Sequence, residues 1–428
     1  MQKNLTDYIY KNDVLNYESH LNGFSDSKFQ SLDSKSKELD LESKIDDLLT
    51  GKIINLSENQ AAWHPKYRSK FDSMPPKKEN KFKHKNVITL GIGGSFEGPK
   101  LLIESLHDSN SDINHIFITG SDAYEFKDKL SNLDPDETIF IVSSKSFTTD
   151  ETLETLKEAI TWSGNIEKFI AITANKEEAA KYNIKEIIEF DKEIGGRYSI
   201  WSDINLPALY GPKSNFDHKL FLKGGHQADL DIQNNSDYLN FIKILSFSDI
   251  WFNNFAGKNT RAILSYSWKL RSFANYAQQL EMESLGKHPN QNSEYKNTGQ
   301  IIFGGYGPTA QHSYFQLMHQ GTQNICADII ASKEDSKSLA YAQALTQTKL
   351  LSFGAEDLLK EEEEINGNIP TNLFLLNKID SYTMGYLIAT WEHRTFVSSV
   401  MLEINPFDQF GVSAGKIFTK KYLEDNGG

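Results

Sequence analysis

Two doubly wound α/β units, each a parallel sheet covered by helices on both faces, are what this chain predicts, and three observations carry that expectation. Short apolar runs rich in β-branched residues recur through the first half, separated by stretches long enough for a helix and its loops. A second set of such runs follows beyond residue 300. The 428 residues also exceed what one hydrophobic core usually gathers, so two domains are the default, and 39% hydrophobic residues are enough to fill both.

In chain order, residues 1–69 read as a mostly helical lead-in. The first α/β domain, 70–225, carries the runs Val87-Ile88-Thr89-Leu90, Ile116-Phe117-Ile118-Thr119, Thr138-Ile139-Phe140-Ile141-Val142, Phe169-Ile170-Ala171-Ile172-Thr173 and Ile187-Ile188-Glu189-Phe190. These runs are nearly continuous rather than alternating, as expected of parallel strands buried on both sides. From Asn215 to Asn235 the chain turns rich in Gly, Asp and Asn, which predicts a domain boundary. A long amphipathic pattern then runs from Tyr238 to about Leu285. The second α/β domain, 236–428, adds strands at Ile301-Ile302-Phe303, Ala327-Asp328-Ile329-Ile330 and Leu373-Phe374-Leu375-Leu376, and ends in a C-terminal tail.

Bulk properties exclude several function classes. No stretch approaches the 18 or more apolar residues of a membrane span, and the start, MQKNLTDYIYKND, lacks the apolar core and cleavage site of a signal peptide, so a cytoplasmic protein without membrane contact is expected. A lone cysteine, Cys326, excludes an intrachain disulfide and a thiolate metal cluster. The formal charge of -13 argues against nucleic acid as a partner, because such binding draws on phosphate neutralisation by Lys and Arg. A small anion in a pocket remains compatible, since screening over about 8 Å makes local groups count more than the total. The basic Lys77 to Lys85 segment and the acidic Glu361 to Glu364 run read as solvated surface.

Chemistry concentrates in five separated signatures. Gly91-Ile92-Gly93-Gly94-Ser95 follows a strand, where glycines allow close backbone approach. It is no nucleotide loop: Phe96 breaks GxGxxG, and Pro99 separates Gly98 from Lys100. On its letters alone a tight turn is the simpler reading. In Ser144-Lys145-Ser146-Phe147-Thr148-Thr149, four hydroxyls sit between a strand and a helix opening near Asp150, where free amides and the positive end of the helix dipole suit a phosphate dianion. Ordinary capping would need only one of them. Arg197 follows two glycines in Gly195-Gly196-Arg197-Tyr198-Ser199. Glu283, in Gln279-Leu280-Glu281-Met282-Glu283-Ser284, sits near a helix end before Gly286 and on sequence alone reads as structural. His312 and His319 are too far apart for the i, i+4 pair of a helical zinc site, and no HExxH or CxxC is present, so neither a metal nor another cofactor is expected. The last signature is Asn405-Pro406-Phe407-Asp408-Gln409-Phe410-Gly411-Val412 with Gly415-Lys416.

In this order the five signatures resemble the glucose-6-phosphate isomerase (phosphoglucose isomerase) family, over about Asn55 to Lys416. Ile54-Asn55, Glu58, His64, Arg68, Gly367-Asn368 and Trp391-Glu392-His393 add to the likeness. The resemblance implies two α/β/α sandwiches of the sugar isomerase type with helical N- and C-terminal extensions, and a hexose phosphate as substrate. It implies that Gly94, Ser95, Ser144, Lys145, Ser146, Thr148, Thr149, Gln279 and Gln409 bind the substrate. By the same matching Glu283 moves a proton between C1 and C2, Arg197 flanks the enediolate, and His312 with Lys416 opens the sugar ring. A homodimer with shared active sites, the histidine coming from the partner, is implied too. The chain departs from the family at Gln60 (Arg), Ser146 (Thr), Asn205 (Gly), Leu285 (Asn), Pro308-Thr309 (Thr-Asn) and Ser413 (Glu). Three functions follow as expectations: this isomerase, a relative that also takes mannose 6-phosphate, and a noncatalytic sugar phosphate sensor. The joint presence of Glu283, Arg197 and His312 favours an enzyme.

Overall fold

The computed structural model describes residues 7–73, 84–107, 113–209, 214–355 and 360–426. Its strands are β1 (Ile9–Lys11), β2 (Leu15–His20), β3 (Asn86–Leu90), β4 (Asn114–Ile118), β5 (Thr138–Ser143), β6 (Phe169–Thr173), β7 (Glu186–Glu189), β8 (Thr260–Ser265), β9 (Ile301–Tyr306), β10 (Ile325–Ser332) and β11 (Thr371–Leu376). One sheet has the order β4-β3-β5-β6-β7 and the other β1-β2-β11-β10-β8-β9. The first is parallel throughout, with Val87 level with both His115 and Ile139. In the second, β11-β10-β8-β9 is parallel and the β1-β2 hairpin extends it antiparallel along β11. Both are open sheets with helices between strands, the α/β class expected.

Sheet order positions the site. From β3 the chain first builds outward to β4, then returns to the other side for β5, so the winding reverses between β3 and β5. Loops leaving the carboxyl ends of two strands that wind in opposite directions separate and leave a crevice. The 91–95 and 144–149 segments are those loops.

Three regions take a form that the sequence pattern left open. The lead-in is not helical from its start: Asn12 Oδ1 accepts the amides of Val14 and Leu15, folding a turn that lets β1 and β2 pair and join the second sheet. The pattern from Tyr238 to Leu285 is not one helix. It divides into helix Ser236–Phe255, strand β8 and helix Phe273–Leu285, with Gly257 at φ +65° turning the chain after the first helix. The Asn215 to Asn235 segment holds helix His218–Asn234, started by Asp217, whose carboxylate accepts the Leu220 amide. Its glycines serve packing. A Cβ at Gly224 would stand 1.9 Å from the Tyr382 carbonyl oxygen, and one at Gly385 would stand 1.9 Å from that of Phe221.

The helix met there, Ser381–Met401, is buried over its whole length except at Tyr382. A helix buried all round must satisfy any charge it carries. Arg394 bonds both oxygens of Asp249, at 2.7 and 2.9 Å, and Asp328 at 2.8 Å. Glu392 accepts from Arg68 at 2.6 Å and from the Trp201 indole at 2.8 Å. Burial still pushes the Glu392 carboxyl up to about 7, against the opposing pull of Arg68. In the acidic run, Glu362 to Glu364 are exposed as expected, whereas Lys77 to Lys83 lies outside the described residues.

Candidate active site

The loops after β3, β5, β6 and β7 surround a cavity of about 640 Å³. In the first loop, Gly93 takes φ +59° and Gly94 lies so close to the next wall that a Cβ there would stand 1.9 Å from the Gly196 carbonyl oxygen. The two glycine turns therefore meet backbone to backbone, which only residues lacking a side chain permit.

In the second loop, Phe147 adopts φ +52° and buries its ring in the core of the first sheet. Around that anchor, Ser144, Ser146 and Thr149 line the cavity. Ser144 Oγ accepts the Phe147 amide at 3.2 Å and lies 3.3 Å from Thr149 Oγ1, while Ser146 Oγ accepts from the Thr148 amide at 3.2 Å and its hydroxyl at 2.8 Å. Thr149 occupies the N-cap of helix Asp150–Ser163 without capping it through its side chain. The hydroxyls are thus not consumed as caps, and the first helical amides stay open to an anion. The Lys145 carbonyl accepts from the Ala174 amide and the Thr173 hydroxyl, tying this loop to the end of β6. Burial lowers the pKa of the Lys145 ammonium, a cost that a bound anion would offset.

Arg197 rises from the turn Gly196–Trp201 with its side chain only 1% exposed. Its Nε donates to Ser284 Oγ at 2.9 Å, Nη1 to Gln409 Oε1 at 2.9 Å, and Nη2 to the Pro406 and Asp408 carbonyls at 2.7 and 2.8 Å. Every nitrogen is engaged, so the guanidinium is fixed. Behind it, the Tyr198 ring stacks on His64, and its hydroxyl meets Ser284 Oγ at 3.0 Å. Burial first, then Arg68, keeps His64 well below its usual pKa and therefore neutral.

Glu283 comes from helix Phe273–Leu285. Its Oε1 lies 3.2 Å from Arg197 Nη1, and its Oε2 accepts from Gln279 Nε2 at 3.1 Å, one turn earlier on the helix. The carboxylate is thus oriented through both oxygens while 24% of the side chain stays exposed to the cavity. Such a group can take and return a proton, beside a cation placed for developing negative charge.

A model of the phosphoglucose isomerase family matches residues 77–426. The glucose-6-phosphate isomerase of Legionella pneumophila (strain Paris) is 36% identical over 419 residues, covering 89% of this chain and 83% of that protein. The chain belongs to the phosphoglucose isomerase family. The corresponding enzyme of Wigglesworthia glossinidia brevipalpis is 33% identical over 448 residues, covering 90% of this chain and 82% of that one. In fold, a glucose-6-phosphate isomerase from Chlamydia trachomatis D/UW-3/Cx matches with a TM-score of 0.86 at 23% identity, over 98% of this chain and 90% of that one.

In this phosphoglucose isomerase family member, the cavity lining collects Gly94, Ser95, Ser144, Lys145, Ser146, Thr149, Arg197, Gln279, Glu283, Gln409 and Lys416. Thr148 is exposed on the loop and does not line it. His312 does not either: it is exposed just past helix Gly307–Gln311. Motif reading passed over Thr152, Asn175 and Lys192, which line the cavity, and noted Gln60 only as a departure. Asn175 and Lys192 sit just past the carboxyl ends of β6 and β7, a position that could have flagged them. Among the described residues, no group of three or more His, Cys, Asp and Glu is placed to hold a metal ion, and no helix is long and apolar enough to cross a membrane.

Proposed function

We propose that this cavity is the active site and that Glu283 is the base in it. As a member of the phosphoglucose isomerase family, with glucose-6-phosphate isomerases as relatives along nine-tenths of its length, the chain is an aldose to ketose isomerase that interconverts glucose 6-phosphate and fructose 6-phosphate, a step of glycolysis and gluconeogenesis. The observation that carries the site assignment is the carboxylate of Glu283, held between Arg197 and Gln279 in the same cavity as the hydroxyl-rich loop.

With the phosphate on Ser95, Ser144, Ser146 and the helix amides, the open-chain sugar extends toward Glu283. The carboxylate removes the proton from C2 of the aldose, giving a cis-enediolate, and returns it to C1 to give the ketose. A positioned base is worth roughly 10²- to 10⁴-fold here. Arg197, already fixed, faces the oxygen that gains charge, so no reorganisation is needed as the charge appears. Lys416 reaches the cavity from helix Ser413–Asp425.

Ring opening by His312 requires a second copy of the chain. A homodimer is supported by that same helix, which buries no residue and leaves Ile417, Phe418, Tyr422 and Leu423 at least half exposed. Apolar residues so placed call for a covering surface. The cytoplasm is the compartment proposed for it.

The test is purified protein with glucose 6-phosphate, then mannose 6-phosphate, following fructose 6-phosphate in each case. Turnover of the first alone is the expected result. Comparable turnover of both would widen the substrate range, and binding without turnover would reduce the chain to a sensor.

A further inference from the structure

We infer that Lys192 is a substrate-binding residue of this cavity, a cation that reaches from the loop after β7 to the sugar's phosphate. The inference deepens the isomerase reading and rests on it. Four basic side chains line the cavity, Lys145, Lys192, Arg197 and Lys416, against one acidic side chain, Glu283. Arg197 is held by Ser284, Gln409 and two backbone carbonyls, so it cannot follow a ligand. Lys145 is half-buried, and the β6 end fixes its backbone. Lys192 differs from both. It is exposed, lines the cavity, and forms no ion pair with any described residue.

Its own loop explains the free ammonium. The preceding carboxylate, Asp191, is taken by Lys66 at 2.8 Å and by the Glu193 amide at 3.1 Å, leaving it committed away from Lys192. The Phe190 amide donates to the Thr173 carbonyl, docking the loop against β6. In the order β5-β6-β7, the loop after β7 stands two strand spacings, about 10 Å, from the hydroxyl loop after β5. A lysine side chain and a phosphate can span that gap together. A dianion approaching a chain of formal charge -13 meets long-range repulsion, which a cation at the rim offsets. Because an exposed charge is screened, its contribution should fall as salt rises.

The experiment measures kcat and KM for glucose 6-phosphate, and inhibition by inorganic phosphate, across ionic strength in the full-length protein. Lys192→Ala should raise KM and the phosphate inhibition constant by about 3- to 10-fold with kcat within about twofold, and flatten the salt dependence of both. Lys192→Glu should exceed that, and Lys192→Arg should restore wild-type behaviour. Lys185→Ala, which removes a surface lysine paired with Glu167, should leave all of them unchanged. Wild-type KM, inhibition and salt dependence in Lys192→Glu would overturn the inference, as would a fall in kcat at constant KM. A wild-type protein that turns over no glucose 6-phosphate would instead sink the isomerase reading itself.

Discussion

The charges that line the cavity and those buried behind it are treated differently by the fold, although one helix carries members of both sets. On helix Phe273–Leu285, Glu283 faces the cavity and Glu281, two residues and about 200° away, faces inward. Glu281 is 5% exposed, accepts from the Trp391 indole at 2.7 Å, and is paired with Arg261. Arg261 also bonds Asp328, which Arg394 and Asn372 complete. Burial raises the pKa of Glu281, against the pull of Arg261 and Arg394. Rear charges thus carry a desolvation cost and are taken up by partners, as Arg197 is at the front, while Glu283 keeps a face open to the cavity. The rear network joins β8, β10, β11 and three helices and so ties these elements together behind the cavity, while the front set is the one proposed to bind and to move the proton.

Four substitutions test that division, taken from the largest effect down. Arg394→Met would leave the buried Asp328 and the half-buried Asp249 with too few partners, and should cost about 3–5 kcal/mol of stability by chemical denaturation. Turnover per folded molecule should change little. Arg197→Lys keeps the charge but loses the fork, and should lower kcat by roughly 10²-fold or more, equivalent to about 3–4 kcal/mol, with a smaller stability loss than Arg394→Met. If the two variants exchanged these phenotypes, the division would fail. Gly94→Ala should push apart the turns that meet at Gly196, costing about 1–3 kcal/mol of stability and lowering kcat/KM about tenfold. Ser144→Ala removes one hydroxyl and should raise KM about fivefold, near 1 kcal/mol, at unchanged kcat.

What the sequence disclosed follows the same physics. The central strands β3, β5 and β6 of the first sheet were legible because burial on both faces makes them continuous apolar runs. Strand β8 was not, because Thr260 and Arg261 open it and the helices on either side continue an amphipathic pattern; Arg261 is buried only through partners distant in sequence. The β1-β2 hairpin is half-buried and short, so its alternation is weak. Gly224 and Gly225 look like loop residues until the helix they face is known. The cavity walls were readable where glycines and hydroxyls follow a strand directly. His312 was assigned by resemblance alone, and a single chain leaves it outside the cavity. Lys192 and Asn175 belong to no motif, so only three-dimensional placement exposes them.

Isotope exchange at C2 of the sugar tests the central claim most directly. Wild-type protein and Glu283→Gln are each incubated in D₂O with glucose 6-phosphate and fructose 6-phosphate, and incorporation of deuterium is followed by NMR. Binding of glucitol 6-phosphate, which has no carbonyl to isomerise, is measured alongside. The account predicts that Glu283→Gln binds glucitol 6-phosphate within a few-fold of wild type but slows both isomerisation and exchange by at least about 10²-fold. Exchange and isomerisation at near wild-type rates in that variant would contradict it.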